Sequence, residues 1–160
     1  MSDNEFSLEC LRLTPRWVKP LVSLFQTLKE NGDAYYFNPH QVTEKEISEL
    51  AERSGRDLYY LLVGRERIFG YGLLRGWDED YEVPSLGIVI DPSVRGNGLG
   101  VFLMHFLHAV ALQRGSKKVR LRVHIENERA VRFYKKLGYN FESVKSADQY
   151  LVGYKQLTNV

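Results

Sequence analysis

Between Pro84 and Gly100 the chain reads PSLGIVIDPSVRGNGLG, and three changes of character within it decide the reading of the whole. Pro84 to Ile90 is an apolar run of strand length, and the glycine inside it, Gly87, marks a place for a bulge or for close approach of another backbone. Asp91-Pro92 ends that strand. Arg95-Gly96-Asn97-Gly98-Leu99-Gly100 then leads into Leu99, Phe102, Leu103, Phe106, Leu107 and Val110, which recur at helical spacing until Gly115. A strand, a glycine-rich turn and a long helix in this order set the first helical N–H groups at the tip of the strand. Those groups have no internal partners and lie at the positive end of the helix dipole, and glycines let an anion approach the backbone. A pyrophosphate fits such a cradle. The spacing lacks the Lys-Ser/Thr of a P-loop and is shorter than the Rossmann Gly-x-Gly-x-x-Gly.

Outward from this centre the elements alternate. Ser7 to Leu13 reads as a first strand, and Thr14-Pro15 starts a helix carrying Val18, Leu21, Val22, Phe25 and Leu28 to Asn31-Gly32. Thr43 and Glu46 form a capping-box pattern before a second helix through Ile47, Leu50 and Ala51. Leu58 to Val63 and Ile68 to Leu74 read as a hairpin around Gly64 to Arg67. Beyond the central helix, Val119 to Ile125 is a strand, Asn127 caps a helix that ends at Gly138, and two strands follow near Tyr139 to Val144 and Gln149 to Leu157. The order β, α, α, β, β, β, α, β, α, β, β predicts an α/β fold, a mixed sheet with helices on its faces.

Composition sets the bounds. At 160 residues and 18.6 kDa, 44% hydrophobic and 26% charged, the sequence fits one globular domain spanning 1–160 and excludes disordered or collagen-like classes. The longest apolar stretch, Val101 to Leu112, contains two histidines and is shorter than the roughly 18–20 residues of a membrane span. The N-terminus lacks the pattern of a secretory signal, and the single cysteine, Cys10, suits a reducing compartment; both point to a cytoplasmic protein without a cysteine-based metal cage. Net charge is only +2, but its distribution is uneven. Nine basic residues against two acids lie between Arg114 and Lys136, whereas Asp78, Glu79, Asp80 and Glu82 crowd one short stretch.

On these motifs the sequence resembles the GNAT superfamily of acyl-CoA-dependent N-acetyltransferases. Arg95-x-x-Gly98-x-Gly100 matches that family's Arg/Gln-x-x-Gly-x-Gly/Ala signature, and Asn127, Ala130, Tyr134, Gly138 and Tyr139 match its second motif. The likeness is strong over roughly residues 69 to 141. It implies a mixed, mostly antiparallel sheet of about seven strands with four helices, splayed at a bulged strand, and acetyl-CoA as co-substrate with no metal. The resemblance implies that Arg95, Gly96, Asn97, Gly98, Leu99 and Gly100 offer backbone N–H groups to the pyrophosphate. Ile88, Val89 and Ile90 would pair main chain to main chain with the pantetheine, Asn127 would hydrogen-bond it, and the basic block would favour the adenosine phosphates.

The chemistry makes three demands. An amine with a pKa near 10.4 must lose a proton before attack, and Glu82, with Asp78, Glu79 and Asp80 nearby to attract the ammonium form, is the preferred base. The leaving thiolate must be protonated, and Tyr134 resembles the family's general acid. The developing oxyanion would meet a main-chain N–H of the Ile88 to Ile90 strand. In the branch that acetylates protein N-termini a Glu acts from the position occupied here by Arg122, which argues against that substrate. His124 either lines the acceptor pocket or acts as an alternate base, and the resemblance implies that His40 reaches the same pocket; Trp77, Tyr81, Tyr35 and Tyr36 either shape an acceptor pocket or complete the core. His105 and His108 lie three apart on the central helix without an evident third metal ligand.

The leading expectation is therefore acetylation of a primary amine on a small molecule such as an amino sugar or polyamine. The alternatives are a protein lysine or N-terminal acetyltransferase and a non-catalytic acyl-CoA-binding module. Neither nucleic acid nor membrane is an expected partner; the resemblance allows a homodimer.

Overall fold

The computed structural model describes residues 7–142 and 148–158. Its seven strands form a single sheet, with β1 (Leu8–Arg12), β2 (Leu58–Gly64), β3 (Arg67–Arg75) and β4 (Ser85–Ile90) in one antiparallel half. The other half holds β5 (Lys118–His124), β7 (Tyr150–Gln156) and the short edge strand β6 (Asn140–Phe141). The order across the sheet is β1-β2-β3-β4-β5-β7-β6, and every pairing is antiparallel except β4 with β5. The expected sixth strand, Tyr139 to Val144, is found only as Asn140–Phe141; residues 143 and 144 lie outside the described residues.

Helices α1 (Val18–Glu30) and α2 (Glu44–Glu52) cover one face of the sheet, and α3 (Leu99–Gln113) and α4 (Glu128–Lys136) cover the other. The expected start of the first helix at Pro15 is a 3-10 turn, Pro15–Trp17, that runs into α1. The α2 cap is as its sequence specifies, since the Thr43 hydroxyl accepts the Glu46 N–H at 3.2 Å. Leu21, Phe25, Leu28, Ile47, Tyr71, Leu73 and Val89 form the core beneath α1 and α2. Leu103, Met104, Leu107, Ala111, Ile90, Leu121 and Val123 form the core beneath α3 and α4. Helix α3 sits close on β3 because Gly72 has no side chain: a Cβ there would lie 2.9 Å from Leu107 Cδ1 and 3.3 Å from Leu103 Cδ1.

The two halves barely touch. Strand β4 makes six residue pairs with β3 and β5 makes seven with β7, but β4 and β5 pair only at Ser85 and Arg120. Each strand follows the twist of its own half, so the two diverge beyond that point into a fork that passes through the sheet. The expected bulge at Gly87 is not what opens it. The β3–β4 ladder runs through Leu73 and Gly87 without a shift, and the register break lies between β2 and β3, where Phe69 is the extra residue between the Leu62–Gly70 and Val63–Ile68 pairs.

Candidate active site at the fork between β4 and β5

The glycine loop leaves the tip of β4 and opens α3. Asp91 fixes its first turn by accepting both the N–H and the hydroxyl of Ser93 at 2.8 Å. Gly98 has φ 79° and directly precedes the helix, a left-handed conformation that side-chain-bearing residues adopt at a cost. The first bond of the α3 ladder runs from Phe102 N–H to Gly98 C=O, so the N–H groups of Leu99, Gly100 and Val101 precede it and form an anion-receptive helix start. Nothing lies within 4 Å of where a Cβ would stand on Gly96 or Gly98, so the cradle is open. Asn97 braces the loop through its amide, which donates to Val94 C=O at 3.2 Å. The Arg95 side chain folds back instead of reaching outward: Nε donates to Ile90 C=O at 3.0 Å and Nη2 to Asp33 Oδ2 at 2.9 Å.

Main-chain parity assigns the groups along β4. Asp91 N–H donates to Phe69 C=O across the β3 ladder, so Val89, two residues earlier and opposite Tyr71, also directs its N–H and C=O to β3. Ile88 and Ile90 therefore point their main-chain groups into the fork, as Pro84 does where it accepts the Arg120 N–H. Of the three residues expected to pair with a pantetheine arm, Ile88 offers both groups and Ile90 its N–H, since Arg95 takes the Ile90 carbonyl. Val89 contributes its side chain to the core beneath α1.

Helix α4 flanks the fork on the α3 face. Asn127 caps it, its Oδ1 accepting the Ala130 N–H at 3.3 Å, which leaves the amide nitrogen for another partner. Phe133 packs against the start of α3, where a Cβ on Gly100 would lie 3.3 Å from its ring. Tyr134 follows, with its ring 5.3 Å from Phe133 and 5.7 Å from Tyr139. Its ring is half-buried and its hydroxyl, which has no hydrogen-bond partner among the described residues, is not closed off from solvent; burial of the group pushes its pKa up to about 12. The phenol therefore stays protonated throughout the neutral range.

The opposite face of the fork is built by the chain between α1 and α2. Asp33 is tied to Arg95 at the tip of β4, while Tyr35 and Tyr36 lie 5.2 and 5.6 Å from the buried ring of His124 at the tip of β5. Phe37 reaches over Gly87 and stacks on Phe25. This segment spans the mouth of the fork, which gives Tyr35 and Tyr36 a place there. Trp77 and Tyr81 are elsewhere, Trp77 beneath the Arg114 guanidinium and Tyr81 exposed beside Gly76.

Both histidines of this face have their ring nitrogens engaged. His124 Nδ1 accepts the Glu126 N–H at 3.2 Å and Nε2 meets Gln149 Oε1 at 3.1 Å. His40 Nδ1 donates to Gln41 C=O at 2.6 Å, and Nε2 accepts from the Tyr71 hydroxyl at 2.8 Å. Burial lowers the His40 pKa and, on Tyr71, raises it well above the usual phenol value. His108 is also committed, to the Tyr139 hydroxyl at 2.7 Å, and burial, with Lys155 and His105 adding, lowers it to about 4.

Glu82 is not brought to these groups. It is exposed in the loop before β4, beyond the closed end of the fork; Ser85 to Ile88 alone spans about 10 Å at ~3.3 Å per residue, and Glu82 stands three residues further out. The neighbouring acids stabilise their own loop: Asp78 accepts the Arg56 N–H and Asp80 pairs with the Arg56 guanidinium at 2.8 Å. The basic block is likewise divided. Arg114 follows the last residue of α3, about 22 Å along the 15-residue helix from the glycine loop, and Arg132 pairs with Glu128 on the outer face of α4. Arg120, Arg122 and His124 alternate with Val119, Leu121 and Val123, so they face the same side as Tyr35 and Tyr36. Reading the sequence as charge runs missed this division, which the period-2 alternation of β5 carries.

Among the described residues no group of three or more His, Cys, Asp or Glu is arranged to hold a metal, and no helix is long and apolar enough to cross a membrane.

Comparison with known proteins agrees with the geometry. The chain is 38% identical over 81 residues to an N-acetyltransferase of Mycobacterium tuberculosis described as uncharacterized, a match covering 50% of this chain and 51% of that protein. The matched stretch thus spans about half the length of this relative. Among solved structures, the PaiA N-acetyltransferase of Thermoplasma acidophilum in complex with coenzyme A has a TM-score of 0.80 at 16% identity, covering 94% of this chain and 99% of that one. A spermidine/spermine N-acetyltransferase of Vibrio cholerae has a TM-score of 0.72 at 17% identity, covering 94% and 92%. These likenesses show a shared fold. The profile of the acetyltransferase (GNAT) family matches residues 23–139, most of the sequence and the whole of the fork, and the chain belongs to that family.

Proposed function

We propose that this protein transfers the acetyl group of acetyl-CoA to a primary amine on a small molecule. The observation that carries the reading is a fork between β4 and β5 that opens onto the glycine-lined start of α3, with unpaired main-chain groups along one wall. The open cradle at Gly96 and Gly98 and the free edge of β4 fit a long, thin ligand with a phosphate at one end. Acetyl-CoA would supply the acyl group as a thioester.

Each residue has a defined part in this scheme. The N–H groups of Leu99, Gly100 and Val101 hold the pyrophosphate, and those of Ile88 and Ile90 line the pantetheine path. The Asn127 amide adds a donor beside that path. The Ile88 N–H stabilises negative charge growing on the carbonyl oxygen as the amine attacks. The amine nitrogen forms the new bond to the acyl carbon, the carbon–sulfur bond breaks, and Tyr134 gives its proton to the sulfur. A thiol, with a pKa near 8.5, keeps that proton at neutral pH, and the phenol recovers its own from solvent. With Glu82 beyond the closed end and both fork-side histidines engaged, the proton shed by the amine leaves through water on the open face. The test is release of free CoA thiol from acetyl-CoA in the presence of a panel of primary amines. Thiol release together with a mass gain of one acetyl group on an amine supports the reading, and acetyl-CoA binding with no amine acetylated contradicts it.

A further inference from the structure

The acceptor side of the fork contains an unmatched positive charge. Among the described residues, Arg120 Nε is the single buried side-chain nitrogen or oxygen without a hydrogen-bond partner, and the Arg120 guanidinium makes no ion pair there. A buried donor left unpaired carries its full desolvation penalty, so an orphan of this kind in a folded protein calls for a partner. Its position suggests which partner. Arg120 stands opposite Ser85 at the single β4–β5 pair, the root of the fork, and its side chain lies on the face that carries Tyr35, Tyr36 and His124.

The surrounding charges are already answered. Arg122 pairs with Asp148 at 3.3 Å and lies over the Tyr150 ring; Arg95 pairs with Asp33; Arg75, across β4 from Arg120, donates to the Pro39 carbonyl. Lys118 lies over Tyr154, the β7 residue that pairs with Arg120. Of the acids expected to draw in a cation, Asp78 accepts the Arg56 N–H and Asp80 pairs with its guanidinium, while Asp57, Asp78 and Glu79 line one pocket with Arg75. On the fork wall Arg120 is the one cation whose side chain has no engaged partner among the described residues, and the acid beside His124 is Glu126, 3.9 Å from its Nδ1. An acceptor ammonium group placed against Arg120 would meet repulsion.

We propose that Arg120 binds a carboxylate of the acceptor, so that the amine to be acetylated belongs to an amino acid or short peptide with a free carboxylate. The proposal rests on the acetyltransferase reading above and names its substrate class. A planar guanidinium holds a carboxylate through two parallel hydrogen bonds, and one unmatched positive charge balances a carboxylate better than a phosphate dianion. The interval of about 10 Å between the level of Arg120 and that of Ile88 suits an acceptor of one or two residues, with its amine directed toward the thioester.

The test uses the full chain, with the twenty amino acids and a set of glycyl dipeptides as free acids, the amides of the same compounds, and spermidine. Wild-type protein should favour free acids over their amides by about 10- to 100-fold in kcat/KM, the range for a hydrogen bond to a charged group. Arg120→Gln should erase that preference through KM for the acid, Arg120→Lys should keep part of it, and calorimetry should give all three proteins the same affinity for acetyl-CoA. Amides or spermidine used as well as free acids would overturn the proposal. So would acetyl-CoA binding without acetylation of any free acid, or a preference for acids that Arg120→Gln leaves unchanged. Failure of wild-type protein to bind acetyl-CoA would instead remove the reading beneath it.

Discussion

Replacing Tyr134 by Phe removes one oxygen from α4 and separates the chemical role of the residue from its packing. The ring contacts with Phe133 and Tyr139 remain, and the hydroxyl has no hydrogen-bond partner among the described residues to be left unsatisfied. Stability should therefore change by no more than about 0.5 kcal/mol, the range for substitutions that break no specific contact. Turnover should suffer more. Loss of a general acid typically costs 10²- to 10⁴-fold, and because a thiolate of pKa near 8.5 already leaves tolerably well near neutrality, the lower end applies: about 100-fold in kcat. Acetyl-CoA affinity, which the proposed site draws from the α3 start and the edge of β4, should not move. The pH dependence adds a second signature. Burial raises the phenol to about 12, so the acid form persists and the wild-type rate should show no loss from Tyr134 ionisation below pH 10. Thiol release measured against pH in both proteins, with acetyl-CoA binding followed by calorimetry, tests each point. A variant that turns over at the wild-type rate would remove Tyr134 from the chemistry. A wild-type alkaline limb near pH 10 that disappears in the variant would show that burial does not hold the proton.

Other perturbations probe the parts separately. His108 is held neutral by burial, with a folded pKa of about 4 against roughly 6.5 in the unfolded chain, so below pH 6.5 the unfolded state takes up the proton first. Its contribution is complete above pH 6.5 and is lost as pH falls toward 4, by at most about 3 kcal/mol; urea unfolding at pH 7 and 4.5 should show this loss in the wild type and a smaller one in His108→Gln, and equal losses would contradict it. Gly98→Ala forces a side-chain-bearing residue to φ 79° in open space, so it should destabilise by about 1–2 kcal/mol through the backbone alone and weaken acetyl-CoA binding; a thermal melt with unchanged Tm would show that the loop relaxes freely. Glu82→Gln should leave the pH–rate profile unmoved, because Glu82 is exposed beyond the closed end of the fork; a shifted acid limb would return it to the mechanism.

The stretch from Pro84 to Gly100 was legible because its physics is local. An apolar strand, an Asp-Pro stop, glycines at positive φ and a helix start are each specified within a few residues, and the α2 and α4 caps at Thr43 and Asn127 are local in the same way. What was not legible depends on contacts across long separations. Gly87 signals a bulge in the sequence, yet the break lies at Phe69, and the opening arises because β4 and β5 are each drawn to other partners. The acids from Asp78 to Glu82 read as a lure for cations until Arg56, more than twenty positions away, is seen to occupy two of them. The basic run after Arg114 reads as one patch because sequence order hides the alternation of β5, which sets Arg120 and Arg122 against the apolar face of Val119, Leu121 and Val123. Asp33, whose ion pair with Arg95 draws the α1–α2 connection across the fork, carries no local signal at all.

Everything proposed for the chemistry depends on the fork and the glycine loop forming an acetyl-CoA site. Calorimetric titration of acetyl-CoA into the full chain puts that site to the test, beside a Gly98→Trp variant shown by circular dichroism to be folded. Binding at a single site is expected in the wild type, and its loss in the variant, where the indole fills the open space over the α3 start. Absence of binding to folded wild-type protein, or equal binding to both proteins, would contradict it.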